Sequence, residues 1–479
     1  MKLLSPRQEQ TRALFDRMAP ARVAWIERNR YFHDADQAYM RFLIPENARV
    51  LELGCGDGQL LAALKPTRGV GVDLSAQMVN VAQAAHPELE FIQGNVEDPD
   101  FLAALPGPFD YIVISDTVGL IEDVEALFEA LHRLTTPETR LILAYYSHLW
   151  EPVLRLAEAL GLKMPQVDQN WLSTADMTNL LALADYDVVR EEWRQLLPRR
   201  LLGVGVFINR FIATLPGVRM LCLRNYLVAR PRARLPKPEK LPSVTVLVPC
   251  RNERGNIENA VTRLPQFAPD IEIIFVEGHS KDATFEECER VKAAYPDRDI
   301  KVFRQPGKGK GDAVRKGFAE ARGDILMILD ADLTVPPESL PKFYEAIASG
   351  RGEFINGTRL VYPMEDTAMR TLNNIANRGF AKIFSYLLNQ RFTDTLCGTK
   401  VLRKRDYERI AANRHYFGDF DPFGDFDLIF GAAKLSLRIV EVPIRYAGRA
   451  YGETQISRFT HGWLLLRMVL FAWRKLKAF

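Results

Sequence analysis

The chain has 479 residues, enough for two or three domains each with its own core, and its 47% hydrophobic and 26% charged content is that of a globular protein. With 63 basic against 60 acidic residues, the net charge of +3 gives no global attraction to nucleic acid, so no nucleic-acid partner is expected. The five cysteines are odd in number and never form a C-x-x-C pair, which argues against a disulfide framework or zinc site and fits a reducing, cytoplasmic setting.

In chain order, apolar strands alternating with helical patterns are predicted at 49–53, 69–73, 89–93, 109–115, 139–145, 186–193 and 220–229. The run 231–242 follows, with four prolines among basic residues. It cannot make a helix or a central strand, so it reads as a stiff exposed linker. Strands resume at 243–249, 271–276, 299–304, 324–330, 353–357 and 437–446. Strands separated by helix-length segments predict an α/β protein with two parallel, doubly wound sheets. The expected organisation is a first domain at 1–230, the linker at 231–242, a second domain at 243–458 and a tail helix at 459–479.

The first strand runs into a glycine turn, Val50-Leu-Glu-Leu-Gly-Cys-Gly-Asp-Gly58, ahead of a helical run. Glycines there let the backbone approach a ligand, and the helix N-terminus adds a favourable dipole. Asp73 ends the next strand about 20 residues on, where a carboxylate can accept both hydroxyls of a ribose. Gly94-Asn-Val-Glu-Asp98 ends the third strand, and Asp116-Thr117 closes the fourth. In that order these residues resemble the class I S-adenosylmethionine-dependent methyltransferases over roughly 30–230. The resemblance implies a Rossmann-like fold with the cofactor on Glu52, Gly54, Gly56, Gly58 and Asp73. Asn95 and Val96 would sit at the adenine, and Asp116 beside the reactive methyl group. The turn lacks the full G-x-G-x-x-G of a dinucleotide site. Tyr31, His33, Tyr145, Tyr146 and His148 are candidates for the pocket mouth, with His33 best placed because it lies just ahead of the first strand. The apolar segment 196–216, broken by Arg199, Arg200 and Arg210, reads as a cover helix or as a face for a membrane or neighbouring domain.

In the second half a buried strand ends at Pro249 and is followed by Asn252-Glu253. The next strand ends on Glu277, and a basic glycine loop, Gly307-Lys-Gly-Lys-Gly-Asp312, opens a helix. Ile325-Leu-Met-Ile-Leu-Asp-Ala-Asp332 then places two carboxylates at a strand end. Asp330 and Asp332 suit a hard cation, Mg²⁺ or Mn²⁺, which would neutralise the charge developing on a leaving nucleoside diphosphate. This ordered set, over about 243–456, resembles the family 2 inverting glycosyltransferases of GT-A fold, and within them the dolichyl- or polyprenyl-phosphate sugar synthases. Further matches are Asn356-Gly-Thr-Arg359, Asp394-Thr-Leu-Cys-Gly-Thr-Lys400, Asp425-Phe-Asp427 and Glu441-Val-Pro443. The resemblance implies a nucleotide-sugar donor bound by Pro249, Asn252, Glu253, Glu277, Lys310 and Asp312, with Arg359, Arg370 and Arg449 gathered around phosphate. Glu277-Gly278 replaces the usual Asp-Asp, and Gly452-Glu-Thr-Gln455 lacks the common terminal lysine. An ionised phosphate acceptor needs no base, whereas a glycan hydroxyl would need a carboxylate such as Asp425 or Asp427.

The tail, His461 to Lys477, is apolar, flanked by Trp463 and Trp473 and basic at its end, a pattern that suits an amphipathic helix lying in a lipid headgroup region. No uninterrupted apolar run reaches the roughly 18 residues of a spanning helix, and the first residues lack a signal-peptide core. The sequence therefore predicts a bifunctional transferase of glycan or glycolipid assembly, peripheral on the cytoplasmic membrane face. Alternatives are transfer of the sugar to a glycan or other hydroxyl, or one half serving as a silent scaffold.

Overall fold

The computed structural model describes residues 4–167, 169–232, 241–359, 370–395, 397–416, 426–444, 451 and 458–478, with backbone alone at 370–378, 458–462 and 465. The chain divides into two compact units at 233/234.

The first unit holds strands β1 (Arg49–Leu53), β2 (Arg68–Asp73), β3 (Glu90–Gln93), β4 (Tyr111–Ser115), β5 (Arg140–Tyr146), β6 (Tyr186–Arg194) and β7 (Arg224–Pro231). They form one sheet in the order β3-β2-β1-β4-β5-β7-β6. The strands β1, β4 and β5 are near-continuous Val, Leu and Ile runs because helices cover both faces, which is the usual reason a parallel strand loses its alternation. Ile112, Ile114, Leu141 and Leu143 lie fully buried against Phe128 and Leu131 of the helix Val124–Leu131. Trimming one of these isoleucines or leucines to Ala would cost about 2–5 kcal/mol.

The sheet is mixed, not wholly parallel as the strand pattern predicts. β7 runs antiparallel to both neighbours, with Leu141 opposite Ala229 and Val188 opposite the same residue. The reason lies in the connection before it. The expected cover helix at 196–216 is instead broken into a 3₁₀ turn at Leu201–Gly203, one α turn at Val204–Phe207 and a π turn at Ile208–Ile212. No continuous helix packs back across the sheet to return the chain in parallel. Pro231 pairs with Tyr186 at the end of β7, where its missing N–H costs least.

The second unit holds β8 (Val244–Cys250), β9 (Ile271–Glu277), β10 (Asp299–Arg304), β11 (Ile325–Ile328), β12 (Phe354–Thr358), β13 (Lys400–Arg403) and β14 (Ile439–Pro443). Their order is β10-β9-β8-β11-β13-β12-β14. The sequence reading misses β13, which pairs antiparallel with β11 and β12 and makes this sheet mixed as well. Its four residues begin and end on a basic side chain, so no apolar period marks it. Lys400 is nevertheless fully buried.

Both sheets therefore reverse their strand order once, between β1 and β4 and between β8 and β11. At such a switch point the loops leave on opposite faces and open a crevice at the carboxyl ends of the strands. Both glycine- or carboxylate-bearing motifs follow those strands. The two doubly wound α/β units are a Rossmann-like domain and a GT-A domain.

The last helix, Arg458–Leu476, buries Met468, Ala472 and Leu476 at a spacing of four and leaves Trp463, Leu466 and Leu470 exposed. Among the described residues no helix is long and apolar enough to cross a membrane.

Candidate active sites

At the β1/β4 switch point lies a cavity of about 330 Å³. Its floor is made by Gly54, Gly56, Asp73, Asn95, Val96 and Asp116, all marked by the sequence. Gly54 turns the chain at φ 77°, and a Cβ there would overlap the Thr117 hydroxyl, so only glycine lets β1 and β4 approach this closely. Asp73 is clamped by backbone donors: Gly56 N–H to one oxygen and Ser75 N–H to the other, each at 2.9 Å. Burial raises its pKa, partly offset by those two donors. Asn95 closes an Asx turn by accepting from Glu97 N–H at 3.0 Å, and its amide donates to Gln8 at 3.3 Å.

Glu52 and Gly58, also marked by the sequence, do not line this cavity. The Glu52 carboxyl meets the Leu61 backbone, and burial, then Asp57, pushes its pKa well up. Gly58 sits at φ 74° under the Phe91 ring, capping the helix Gln59–Ala63.

The lid is what sequence reasoning mostly misses. The helices Pro6–Met18, Arg22–Arg28 and Arg30–Leu43 bring Phe15, Arg22, Trp25, Phe32 and His33 over the floor. Asp16 accepts from the Ser75 hydroxyl at 2.6 Å and Gln8 donates to Glu97 at 2.9 Å, which ties the first of these helices to the strand ends. Polar residues at those intervals were the available signal, but only the topology tells what they meet.

Of the five pocket-mouth candidates, His33 and Tyr146 line the cavity, whereas Tyr31, Tyr145 and His148 do not. Tyr31 accepts from Asn209 at 3.0 Å, and Tyr145 is buried in the core. Burial and the Arg22 guanidinium lower the His33 pKa to about 4, so its imidazole is uncharged at neutral pH. Beneath it, Arg224 is fully buried between Asp36 and Asp116, bonding Asp36 at 3.0 and 3.1 Å. Its guanidinium also lies 5.5 Å from the Phe32 ring and 5.1 Å from that of Tyr146.

A fit test for S-adenosylmethionine rests on Arg22. Its Nε is buried with no hydrogen-bond partner in the structure, and its guanidinium would be the nearest neighbour, at 3.6 Å, of a Cβ placed on Gly56. A cation with an unused donor beside a bare glycine turn fits a carboxylate-bearing ligand. The floor carboxylate and the aromatic lid fit its sugar and base.

At the β8/β11 switch point a second cavity, of about 370 Å³, gathers Pro249, Glu253, Lys310, Asp330 and Asp332. Arg251 and Gln305, which the sequence reading did not single out, share it. Lys310 opens the helix Lys310–Glu320, where a cation opposes the dipole, and is held by Asp330 at 2.6 Å. Burial pushes the Asp330 pKa up, but Lys310, Lys400 and Arg359 outweigh it and hold the carboxyl below its ordinary value. Gly398 packs against this carboxylate so closely that a Cβ would overlap it. Asp332 accepts from Thr334 N–H at 3.1 Å and from its hydroxyl at 2.8 Å.

The other predicted donor-site residues serve mainly as braces. Asn252, at φ 57°, accepts from Lys281 N–H at 2.8 Å, and Glu277 accepts from Ser280 N–H, so the loops after β8 and β9 are tied together. Asp312 accepts from Gly307 N–H at 2.7 Å and shapes the basic loop. Arg359 makes a bidentate pair with Asp394 at 2.7 and 2.9 Å. Asp427 meets Arg414 at 3.1 Å and Arg315 at 3.6 Å and does not line the cavity. Asp425 and Arg449 lie outside the described residues, as does the side chain of Arg370.

A fit test for a divalent cation rests on the donor set. Two carboxylates face one crevice, and an ammonium already lies against one of them where positive charge is wanted. Among the described residues there is no cluster of three or more His, Cys, Asp or Glu that could hold a metal ion.

Residues 26–191 match the family model described as a methyltransferase domain, and residues 245–411 match that of glycosyl transferase family 2. A dolichol-phosphate mannosyltransferase of Pyrococcus furiosus is 32% identical over 221 residues, which is 45% of this chain and 59% of that protein. The chain spans less than two thirds of the length of each of the curated relatives compared. Among solved structures, an S-adenosylmethionine dependent methyltransferase from Mesorhizobium loti is 18% identical at a TM-score of 0.31, matching 40% of this chain and 96% of that one. The glucosyl-3-phosphoglycerate synthase of Mycobacterium tuberculosis, solved with Mn²⁺ and uridine diphosphate, is 15% identical at a TM-score of 0.36, matching 49% of this chain and 80% of that one.

Proposed function

With a methyltransferase domain at residues 26–191 and a family 2 glycosyltransferase domain at 245–411 in one chain, we propose a bifunctional enzyme of glycan or glycolipid assembly. The first unit takes a methyl group from S-adenosylmethionine. The second takes a sugar from a nucleotide-sugar and passes it, with inversion, to a polyprenyl phosphate. The observation that carries the reading is that each motif converges on the switch-point crevice of its own sheet.

In the first crevice Asp73 would accept from the ribose hydroxyls, Asn95 and Val96 would border the adenine, and Arg22 would hold the methionine carboxylate. S-adenosylmethionine, when bound, supplies an electrophilic methyl group. His33 lines the cavity uncharged at neutral pH, and because its lowered pKa makes it a weak base it would orient an acceptor by hydrogen bonding.

In the second crevice Asp330 and Asp332 would hold Mg²⁺ or Mn²⁺, which would supply positive charge for a leaving diphosphate. Lys310 donates to a phosphate oxygen of the donor, and Pro249 and Glu253 border the nucleoside. Two observations favour a phosphate acceptor over a hydroxyl. Asp427 is engaged by two arginines and stands outside the cavity, so it is a poor general base. The Pyrococcus relative is, by its name, a transferase to dolichol phosphate. The tail helix would keep the enzyme at the cytoplasmic membrane face through Trp463, Leu466 and Leu470, which are exposed.

The test is donor turnover by the full chain across a panel of labelled nucleotide-sugars, with Mg²⁺ or Mn²⁺ and a polyprenyl phosphate. Label should enter the organic phase and stop entering it in chelator. Transfer that survives chelator, or that goes only to soluble hydroxyl acceptors, contradicts the proposal.

A further inference from the structure

The first unit carries an apolar surface that its proposed chemistry leaves unexplained. The broken segment after β6 exposes Leu201, Leu202, Val204 and Phe207, the last with 57% of its surface in solvent. The helix Glu151–Ala159 and the turn after it expose Val153, Leu156 and Leu160, the last at 64%. These fractions are those of surface lysines, not of core residues, and contiguous apolar exposure of this kind marks a binding surface.

The two elements meet at the cavity mouth. Trp150 donates its indole N–H to Leu221 O at 2.8 Å, joining the start of the helix to the end of the segment. Val153, Ala157 and Leu162 from one side and Pro198 and Arg199 from the other line the cavity itself. The apolar surface is thus the rim of the cavity.

Charge selects the occupant. From Gln195 to Leu221 there is no Asp or Glu, while Arg199, Arg200, Arg210 and Arg219 punctuate the apolar run. Arg199 and Arg200 are exposed beside Leu201 and Leu202. On the helix side of the rim Glu151 and Glu158 are paired with Arg155 and Lys163, and apolar side chains set among the arginines of the segment complement acyl chains under an anionic headgroup layer.

We propose that this rim binds an anionic lipid surface, and that the methyl acceptor is a lipid-borne head group drawn from that surface into the cavity. The acceptor half of this inference rests on the cavity's being the S-adenosylmethionine site. In the transfer, a lone pair on the acceptor oxygen or nitrogen forms the bond to the methyl carbon as the sulfonium–methyl bond breaks. A neutral thioether remains, and the acceptor's proton passes to solvent. The break at Leu201 and Leu202, both in left-handed backbone, leaves these two side chains standing out into solvent.

The experiment compares the full chain with the double variant Leu202→Glu/Phe207→Glu, two exposed positions outside the cavity, and with Leu466→Glu/Leu470→Glu on the tail helix. Sedimentation with vesicles of phosphatidylglycerol and phosphatidylcholine, S-adenosylmethionine affinity by calorimetry, and labelled methyl in the chloroform–methanol extract of a membrane fraction are measured for each. The rim variant should lose vesicle binding roughly tenfold or more and lose methyl label in the lipid phase to a similar degree, with cofactor affinity within about twofold of the parent. The tail variant should weaken vesicle binding but keep the rim-dependent part. Vesicle binding unchanged in the rim variant overturns the proposal. So does a dimer in sedimentation velocity that the rim variant breaks without altering vesicle binding, because the patch is then a contact between copies. Methyl label confined to the aqueous phase overturns the lipid-borne acceptor. A parent chain that binds vesicles through the rim but not S-adenosylmethionine overturns the cavity reading and the acceptor with it, leaving the lipid surface in place.

Discussion

The two crevices occupy equivalent places in sheets of the same layer design, yet Asp73 and Asp330 are held in opposite ways. Asp73 is fixed by two backbone N–H groups, and burial dominates, so its pKa rises. Asp330 is held by the Lys310 ammonium with Lys400 and Arg359 nearby, and its pKa falls despite burial. A carboxylate fixed by neutral donors suits a neutral partner such as a pair of ribose hydroxyls. One surrounded by positive charge suits a cation–phosphate complex, where Lys310 can exchange the carboxylate for a phosphate as ligand arrives. The surroundings follow suit. The first crevice is lidded by aromatic residues, and the second is bordered by polar and charged loops. A shared topology therefore decides where the chemistry sits, and a few residues after each strand decide which chemistry it is.

The largest effect expected is on the second crevice. Asp330→Asn keeps the shape but removes the charge that Lys310 and a divalent cation both use. Sugar transfer should fall by roughly a thousandfold or more, while the folded chain persists. Turnover measured against metal concentration checks this, and a variant with parental turnover would mean that the electrostatic contrast between the crevices has no catalytic role.

Next in size is Arg224→Met in the first unit. It leaves Asp36 and Asp116 buried without their shared partner and should destabilise that unit by about 3–5 kcal/mol. Denaturant unfolding followed by the unit's own tryptophans reads the loss. An unchanged midpoint would show that the carboxylates find protons or water instead.

A smaller effect is expected from His33, and it depends on pH. Its pKa falls from 6.5 to about 4 on folding, so between those values the unfolded chain binds more protons. Stability of the first unit should therefore decline as pH drops from 6.5 towards 4, by on the order of 3 kcal/mol for this group. His33→Gln should flatten that part of the profile. Parallel profiles for variant and parent would place the imidazole in water and not in the lid.

What the sequence discloses and what it hides follow from range. The glycine turn, Asp73, Asn95-Val96, Asp116 and the Asp330/Asp332 pair were legible because each sits at the end of a recognisable strand, and a strand end at a switch point is a local feature. β13 was not, because four residues with a buried lysine carry no apolar period. The antiparallel direction of β7 was not legible either, since the length of 195–223 suggests a crossover helix that its left-handed residues Leu201 and Leu202 forbid. Lys400 and Gly398 stood within a motif, but that they press on Asp330 depends on β13 lying beside β11. Arg22, Phe15 and Trp25 come from helices far in sequence from the floor they cover. Glu52 shows the converse: a residue inside the most legible motif that turns away from the cavity.

One chain carrying two transfer chemistries, each confined to its own crevice, makes the two activities separable by substitution. The most direct test follows both labels at once, methyl from S-adenosylmethionine and sugar from the active nucleotide-sugar, in one incubation with Asp73→Ala, Asp332→Asn and the parent chain. Asp73→Ala should weaken S-adenosylmethionine binding by about 1–3 kcal/mol and depress methyl transfer alone. Asp332→Asn should abolish sugar transfer alone. If either substitution removes both labels, or if Asp73→Ala leaves S-adenosylmethionine affinity unchanged, the assignment of one chemistry to each crevice is contradicted.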